Sequence, residues 1–319
     1  MTAAIAPAEP LDLLTIGETM ALLVADEPGP LAQVTHFTKR LAGADTNVAI
    51  GMSRLGFKVG WVSRLGSDSF GNYVRAAVQA EGVDTSQVAT DGERLTGMML
   101  KGRSFGGADP LIEYHRRGSA ASALNPADLD PGYALRARHF HATGITPALS
   151  LDAHALVAHT MRTLRAAGRS VSFDPNLRPT LWPNEATMRT RLLELAGYAD
   201  WVFPGIDEGR FLTGHDTPRD IAGYFLARGA QAVAVKLGSR GAYFRTMFEE
   251  GEVLAAPMVE VVDTVGAGDG FAVGVLSARL EGKDWHNAVA RGNWVASRVI
   301  QVIGDMDGLP RRAELPVGL

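Results

Sequence analysis

Cysteine is absent from the 319 residues, which excludes disulfide frameworks, zinc–thiolate sites and cysteine nucleophiles. Long apolar runs are missing as well: no stretch approaches the roughly 18 residues that suggest a membrane span. There is no excess of positive charge. Lys and Arg number 31 against 35 Asp and Glu, a formal net charge of -4. That leaves too little basic surface for a phosphate-backbone footprint, so neither nucleic acid nor a membrane is expected as a partner. The eight histidines show no HExxH or other metal-ligand spacing, and no GxGxxG follows an early strand, which argues against a dinucleotide-binding dehydrogenase. The first ten residues, MTAAIAPAEP, lack the charged start and apolar run of a signal peptide. They read as a disordered leader on a cytoplasmic protein.

What is present is a chain with 46% hydrophobic residues, enough for one large α/β domain or two small ones. Strands are expected at Leu11–Ile16, Lys58–Ser63 (in alternating pattern), Arg138–Thr143, Ser170–Asp174, Trp201–Phe203, Ala232–Leu237 and Val259–Val262. Helical patterns stand between most of them, with Asp68 and Ser150 as caps and Gly56, Gly82 and Gly168 as stops. Repeated strand–helix–strand units imply a mostly parallel sheet with helices on both faces. Two stretches break the rhythm, about 20–40 and 93–118. Both read as strands, the second as a small antiparallel sheet with hairpins, and the two are expected to pair in space as a small sheet over one edge of the core. The expected division is a core of residues 10–19, 41–92 and 119–315, and a lid of 20–40 and 93–118.

The strongest chemical signal is Asp263-Thr264-Val265-Gly266-Ala267-Gly268-Asp269, between an expected strand and an apolar helix. Its glycines admit a ligand to the backbone, and the free amides of the helix start make an anion site. No GK[ST] follows, so this is not a P-loop. Asp269 reads blandly as a helix-start carboxylate. Beside a phosphate-binding turn it also reads as the base that phosphoryl transfer needs. Other segments carry paired readings. Gly43-Ala44-Asp45-Thr46-Asn47 is a helix start capped by Asp45 or Thr46, or a hydroxyl-binding turn. Tyr114 and Arg116 share one strand face, where an arginine suits a substrate carboxylate. Asp174-Pro175-Asn176-Leu177-Arg178 and Gly205-Ile206-Asp207-Glu208 follow strands, where open α/β sheets bind ligands. Glu208 is a dipole-complementary acid or a holder of magnesium-bound water. Lys236-Leu237-Gly238-Ser239-Arg240-Gly241 is a hairpin or a nucleotide-facing loop. His139 and His141 read as packing residues.

Taken in order, GADTN, GSDSFG (Gly66–Gly71), DPNLR, KLGSRG and DTVGAGD resemble the ribokinase-like (PfkB) carbohydrate kinases over about residues 11–311. HRRGSAAS (His115–Ser122), ATGITPALS (Ala142–Ser150), NLRPTLW (Asn176–Trp182) and GDMDGLP (Gly304–Pro310) are most similar to the subgroup acting on 2-keto-3-deoxygluconate. The resemblance implies a three-layer αβα core with a β lid. It also implies phosphorylation of the keto acid's terminal hydroxyl by ATP with Mg2+, feeding an Entner–Doudoroff type route, in a protein that forms homo-oligomers. It assigns Asp269 as base and Gly266, Ala267 and Gly268 as anion hole. Gly43, Asp45, Asn47, Tyr114, Arg116, Arg178 and Asp305 are implied to bind substrate. Asn176, Arg178, Gly205, Lys236, Gly238, Gly241 and Thr264 are implied to bind ATP, and Glu208 to hold the metal through water. Two positions depart from the pattern: Gly205 replaces the family's asparagine, and Met99 replaces a tyrosine that often faces the substrate. The competing readings are a fructokinase- or ribokinase-type enzyme for a neutral sugar and a non-catalytic sugar- or nucleotide-binding regulator.

Overall fold

The computed structural model describes residues 9–103, 111–256 and 260–319. Most of the expected leader, residues 104–110 of the expected lid and residue 259 of the last expected strand lie outside that range.

Strand β1 (Leu11–Ile16) is apolar at almost every position because both of its faces are covered. β2 (Met20–Ala25) and β3 (Phe37–Ala42) leave the core and precede α1 (Ala44–Arg54), β4 (Val59–Gly66), α2 (Ser69–Ala80) and β5 (Asp84–Asp91). β6 (Met98–Lys101) and β7 (Ile112–His115) form a second excursion. The chain then alternates through α3 (Pro131–Ala134), β8 (Ala137–Thr143), α4 (Leu151–Ala166), β9 (Ser170–Asp174) and α5 (Glu185–Ala196). β10 (Trp201–Val202), α6 (Ile206–Thr213), α7 (Pro218–Leu226), β11 (Ala232–Lys236), β12 (Ala242–Thr246) and β13 (Glu250–Val253) complete the sheet. α8 (Ala267–Leu280) and α9 (Trp285–Val299) follow it.

Nine strands form one sheet in the order β13-β12-β11-β10-β9-β8-β1-β4-β5. It is parallel from β5 to β11, with β12 and β13 antiparallel at one edge. Alternating side chains feed two cores. Leu14, Ile16, Phe140, Phe173, Val202 and Val233 pack with α4–α7 on one face. Leu13, Trp61, Trp201, Phe203 and Ala234 pack with α1, α2, α8 and α9 on the other. This is a three-layer α/β architecture with a separate small sheet.

The small sheet is ordered β3-β2-β6-β7, with β3/β2 and β6/β7 antiparallel, the latter as expected for the second stretch, and with β2 and β6 parallel. Three expectations need correction. Residues 260–262 form no strand; Val261 and Val262 are half exposed and have no sheet neighbour to cover them. β4 is buried almost throughout rather than alternating, since helices and loops cover both of its faces. The N-cap of α1 is Gly43, not Asp45 or Thr46, which sit inside the first turn. Gly43 is required there because a Cβ would fall on the carbonyl oxygen of Glu18. Asp68 and Ser150 do cap α2 and α4, accepting from Gly71 N and Ala153 N.

Candidate active site

The carboxyl ends of β1, β8, β9, β10 and β11 open onto a cavity of about 470 Å3, the position where parallel sheets bind ligands. The core lines it with Asp45, Asn47, Asn176, Lys236 and Asp269 among others. The small sheet and the segment after it add Met20, Ala42, Met99, Tyr114 and Arg116. No helix among the described residues is long and apolar enough to cross a membrane.

The turn before α8 is built for close approach. Gly266 has φ 84, and a Cβ there would fall on the carbonyl oxygen of Asp305; glycine alone meets both demands. The first i→i−4 bond of α8 runs from Gly270 N to Gly266 O at 2.8 Å. The amides before it have no helical acceptor, and that of Ala267 turns to Thr264 O at 3.4 Å. The helix dipole makes that position favourable for an anion. A positive charge stands beside it: the Lys236 ammonium lies 3.4 Å from where a Cβ on Gly268 would be. Lys236 in turn donates to Asp174 at 2.6 Å.

Asp269 occupies the first turn of α8, 7% exposed, with Asn47 Nδ2 donating to its Oδ2 at 2.8 Å. Burial pushes its carboxyl up to about 7; the Asn47 hydrogen bond opposes the rise, Asp174 and Asp305 add to it, and Arg178 opposes it. A carboxylate poised near neutrality can take a proton from a hydroxyl and release it again.

Around this centre the expected site residues divide by what they touch. Asp45 is fully committed: its oxygens accept from Thr143 N, Thr143 Oγ1 and Thr146 Oγ1, each at 3.0 Å. Burial also pushes its carboxyl up to about 7. Its visible work is to tie α1 to the end of β8. Asn47 likewise spends its amide on Asp269. Glu208 spends both oxygens, accepting from Leu177 N at 2.9 Å and Gly205 N at 2.7 Å, and so staples together the two loops that follow β9 and β10. Asn176 is the one non-glycine residue with positive φ among the described residues, at 39, in a turn braced by Asp174 Oδ1. Such backbone strain is typical of ligand-facing turns. Gly43, Arg178, Gly205, Thr264, Gly268 and Asp305 also line the cavity. Ala267, Gly238 and Gly241 are not among the lining residues. At Gly241 the backbone of β13 fills the space a side chain would take, which explains the glycine by sheet packing.

On the opposite wall Arg116 pairs with Glu18, and Ser119 Oγ donates to Glu18 at 2.5 Å. The Arg116 Nε is buried and finds no acceptor among the described residues. Glu18 and Lys101 escaped the sequence reading, and Asp263 entered it only as the first residue of the glycine turn. The only signal for Glu18 was its place just after β1. Lys101 carries no sequence signal, yet it is 1% exposed and paired with Asp263 and Asp305. Among the described residues no cluster of three or more His, Asp or Glu side chains is arranged to hold a metal ion.

Comparison with known proteins places this geometry. Residues 11–312 match the pfkB family carbohydrate kinase. The chain is 49% identical to 2-dehydro-3-deoxygluconokinase of Bacillus subtilis (strain 168), over 96% of this chain and 94% of that one. It is 33% identical to the enzyme of the same name from Thermoproteus tenax, over 97% and 94%. The fold is similar to that of a PfkB protein from Polaromonas sp. JS666, with TM-score 0.89, 53% identity and coverage of 95% and 98%. It is also similar to a putative Ribokinase II from E. coli solved with ATP and Mg2+, with TM-score 0.88, 28% identity and coverage of 95% and 97%.

Proposed function

The chain belongs to the pfkB family of carbohydrate kinases, and from that premise we propose that it phosphorylates the terminal hydroxyl of 2-keto-3-deoxygluconate with ATP, using Asp269 as the base. It is a phosphotransferase with an alcohol group of a sugar as acceptor. The observation that carries the mechanism is Asp269 itself, a buried carboxylate at the anion-binding helix start with its carboxyl pushed up to about 7. In the proposed step, Asp269 accepts the hydroxyl proton as that oxygen bonds to the γ-phosphorus. The bond from phosphorus to the ADP oxygen breaks, and ADP leaves with that electron pair. The amides of the 266–268 turn and the Lys236 ammonium offset the charge on the transferring group.

The residues on the phosphate side fit a magnesium ion carried by ATP rather than one caged by protein. Glu208 and Asp174 already have backbone amides or Lys236 as partners, so Glu208 would hold the ion through water. When bound, the ion neutralises phosphate charge. For the acceptor, the unpartnered Arg116 Nε and neighbouring Tyr114 suit a carboxylate, and the 49% identical relative bears the keto-acid name. The division into core and lid, cytoplasmic location and self-association belong to the same reading. The small sheet would close over the sugar and keep water from the phosphoryl group.

The test is ADP release by purified protein with ATP and magnesium, offering 2-keto-3-deoxygluconate, its galactonate epimer, fructose and ribose in turn. Preference for the keto acids is expected. Preference for fructose or ribose would overturn the substrate, and release with none of them would overturn the kinase reading of this site.

A further inference from the structure

Lys101 is among the largest fully buried side chains of the protein, and the phosphoryl-transfer step described above does not use it. It is the last residue of β6, so the small sheet supplies it. Its ammonium contacts two carboxylates that are themselves buried, Asp263 and, at 3.4 Å, Asp305. Each carboxylate belongs to a segment that shapes the anion-binding turn. Asp263 opens that turn and accepts from Val265 N at 3.1 Å. Asp305 puts its carbonyl oxygen where a side chain on Gly266 would be. Burying two like charges this close together is costly unless a cation sits between them. The turn, the segment after α9 and the small sheet therefore meet at one ammonium group. Ile303 packs on the small sheet, and Arg40 pairs with Asp307, along the same seam.

We propose that the Lys101 ammonium is a built-in cation that holds the anion-binding turn in its working shape, making Lys101 a positioning residue for phosphoryl transfer contributed by the small sheet. The geometry makes this more than a stabilising pair, because both anions it neutralises are continuous with backbone that faces the cavity. Loss of the ammonium leaves Asp263 and Asp305 repelling each other across the base of the turn, and the amides of 266–268 lose their register with the transferring phosphate. A small displacement of such groups costs up to about 100-fold in rate.

The inference rests on the kinase reading, and its test uses whichever sugar the wild-type protein phosphorylates. Failure with the keto acid would therefore strike the substrate reading and leave this one testable. Lys101→Ala opens a space lined by two carboxylates that a small amine can enter; Lys101→Met fills the space without charge. With turnover and melting temperature measured together, both variants are expected to lose roughly 10–100-fold in kcat with smaller changes in KM. Ammonium or methylammonium should restore a large part of the loss in Lys101→Ala only. Tetramethylammonium at equal ionic strength, too large for the space, should restore nothing. A kcat within about twofold of wild type in the folded variants, or a loss that no cation relieves, would overturn the proposal and leave Lys101 a stability residue. Should Lys101→Ala fail to fold, Lys101→Met alone carries the test, because it removes the ammonium and keeps both carboxylates. Low kcat with a normal melting temperature would then support the proposal, and near-normal kcat would overturn it.

Discussion

On the core wall of the cleft, each central carboxylate is tied to a different element of the fold: Asp269 on α8 to Asn47 on α1, Asp174 on β9 to Lys236 on β11, Asp45 on α1 to Thr143 on β8. On the opposite wall, Tyr114 is 49% exposed and Arg116 leans on Glu18 with an unpartnered Nε. Under the proposed function, the difference separates chemistry from selection within one site. Groups that must hold a geometry are braced by buried hydrogen bonds between helices and strands, where a displacement is costly. The groups proposed to recognise the acceptor stand at the end of a short sheet, Tyr114 in β7 and Arg116 just after it.

This contrast can be broken by mutating each wall. On the core wall, Gly266→Ala places a methyl group on the Asp305 carbonyl and strains a residue at φ 84. Turnover should fall by about 100–1,000-fold, the scale of losing an anion-hole donor, with the fold retained by circular dichroism. Unchanged turnover would show that the turn is not part of the site. On the other wall, Arg116→Ala should raise KM for the keto acid by roughly 10–100-fold with little change in kcat, and leave neutral sugars nearly unaffected. Equal losses for acid and neutral sugars would erase the proposed division.

A pH profile sharpens the core side. As the proposed base, Asp269 must be unprotonated, and its carboxyl is pushed up to about 7, so kcat/KM should fall with unit slope as pH drops below about 7. A limb near 4 would mean an unperturbed carboxylate. The smallest effect concerns stability. Because the folded carboxyl lies at about 7 against an ordinary 3.8, the folded state binds the proton more tightly. Its contribution is full below about 4 and is lost as pH rises through about 7. Asp269→Asn should therefore melt a few degrees higher at pH 8, a gain of about 1–2 kcal/mol, and show no gain at pH 4.

Much of the core was legible because parallel strands buried on both faces are written as apolar runs, as in Leu11–Ile16 and Ala232–Lys236. The polar edge strand Asp84–Asp91 went unseen, since it carries few apolar residues to mark it. Val261 and Val262 suggested a strand, but β propensity does not act without a partner strand. The parallel pairing of β2 with β6 is a long-range choice with no local signature. At the site, the turn at Gly266–Asp269 announced itself through glycine spacing. What Asp45, Glu208 and Lys101 do was hidden, because it depends on partners about 30 to 200 residues away.

The most direct test of the central claim is Asp269→Asn, with calorimetric titration of ATP and of the sugar run beside ADP release on one preparation. The account predicts both affinities within about threefold of wild type and turnover lower by roughly 100-fold or more. Tight binding with turnover within about tenfold of wild type would contradict it and move the base elsewhere in the cleft.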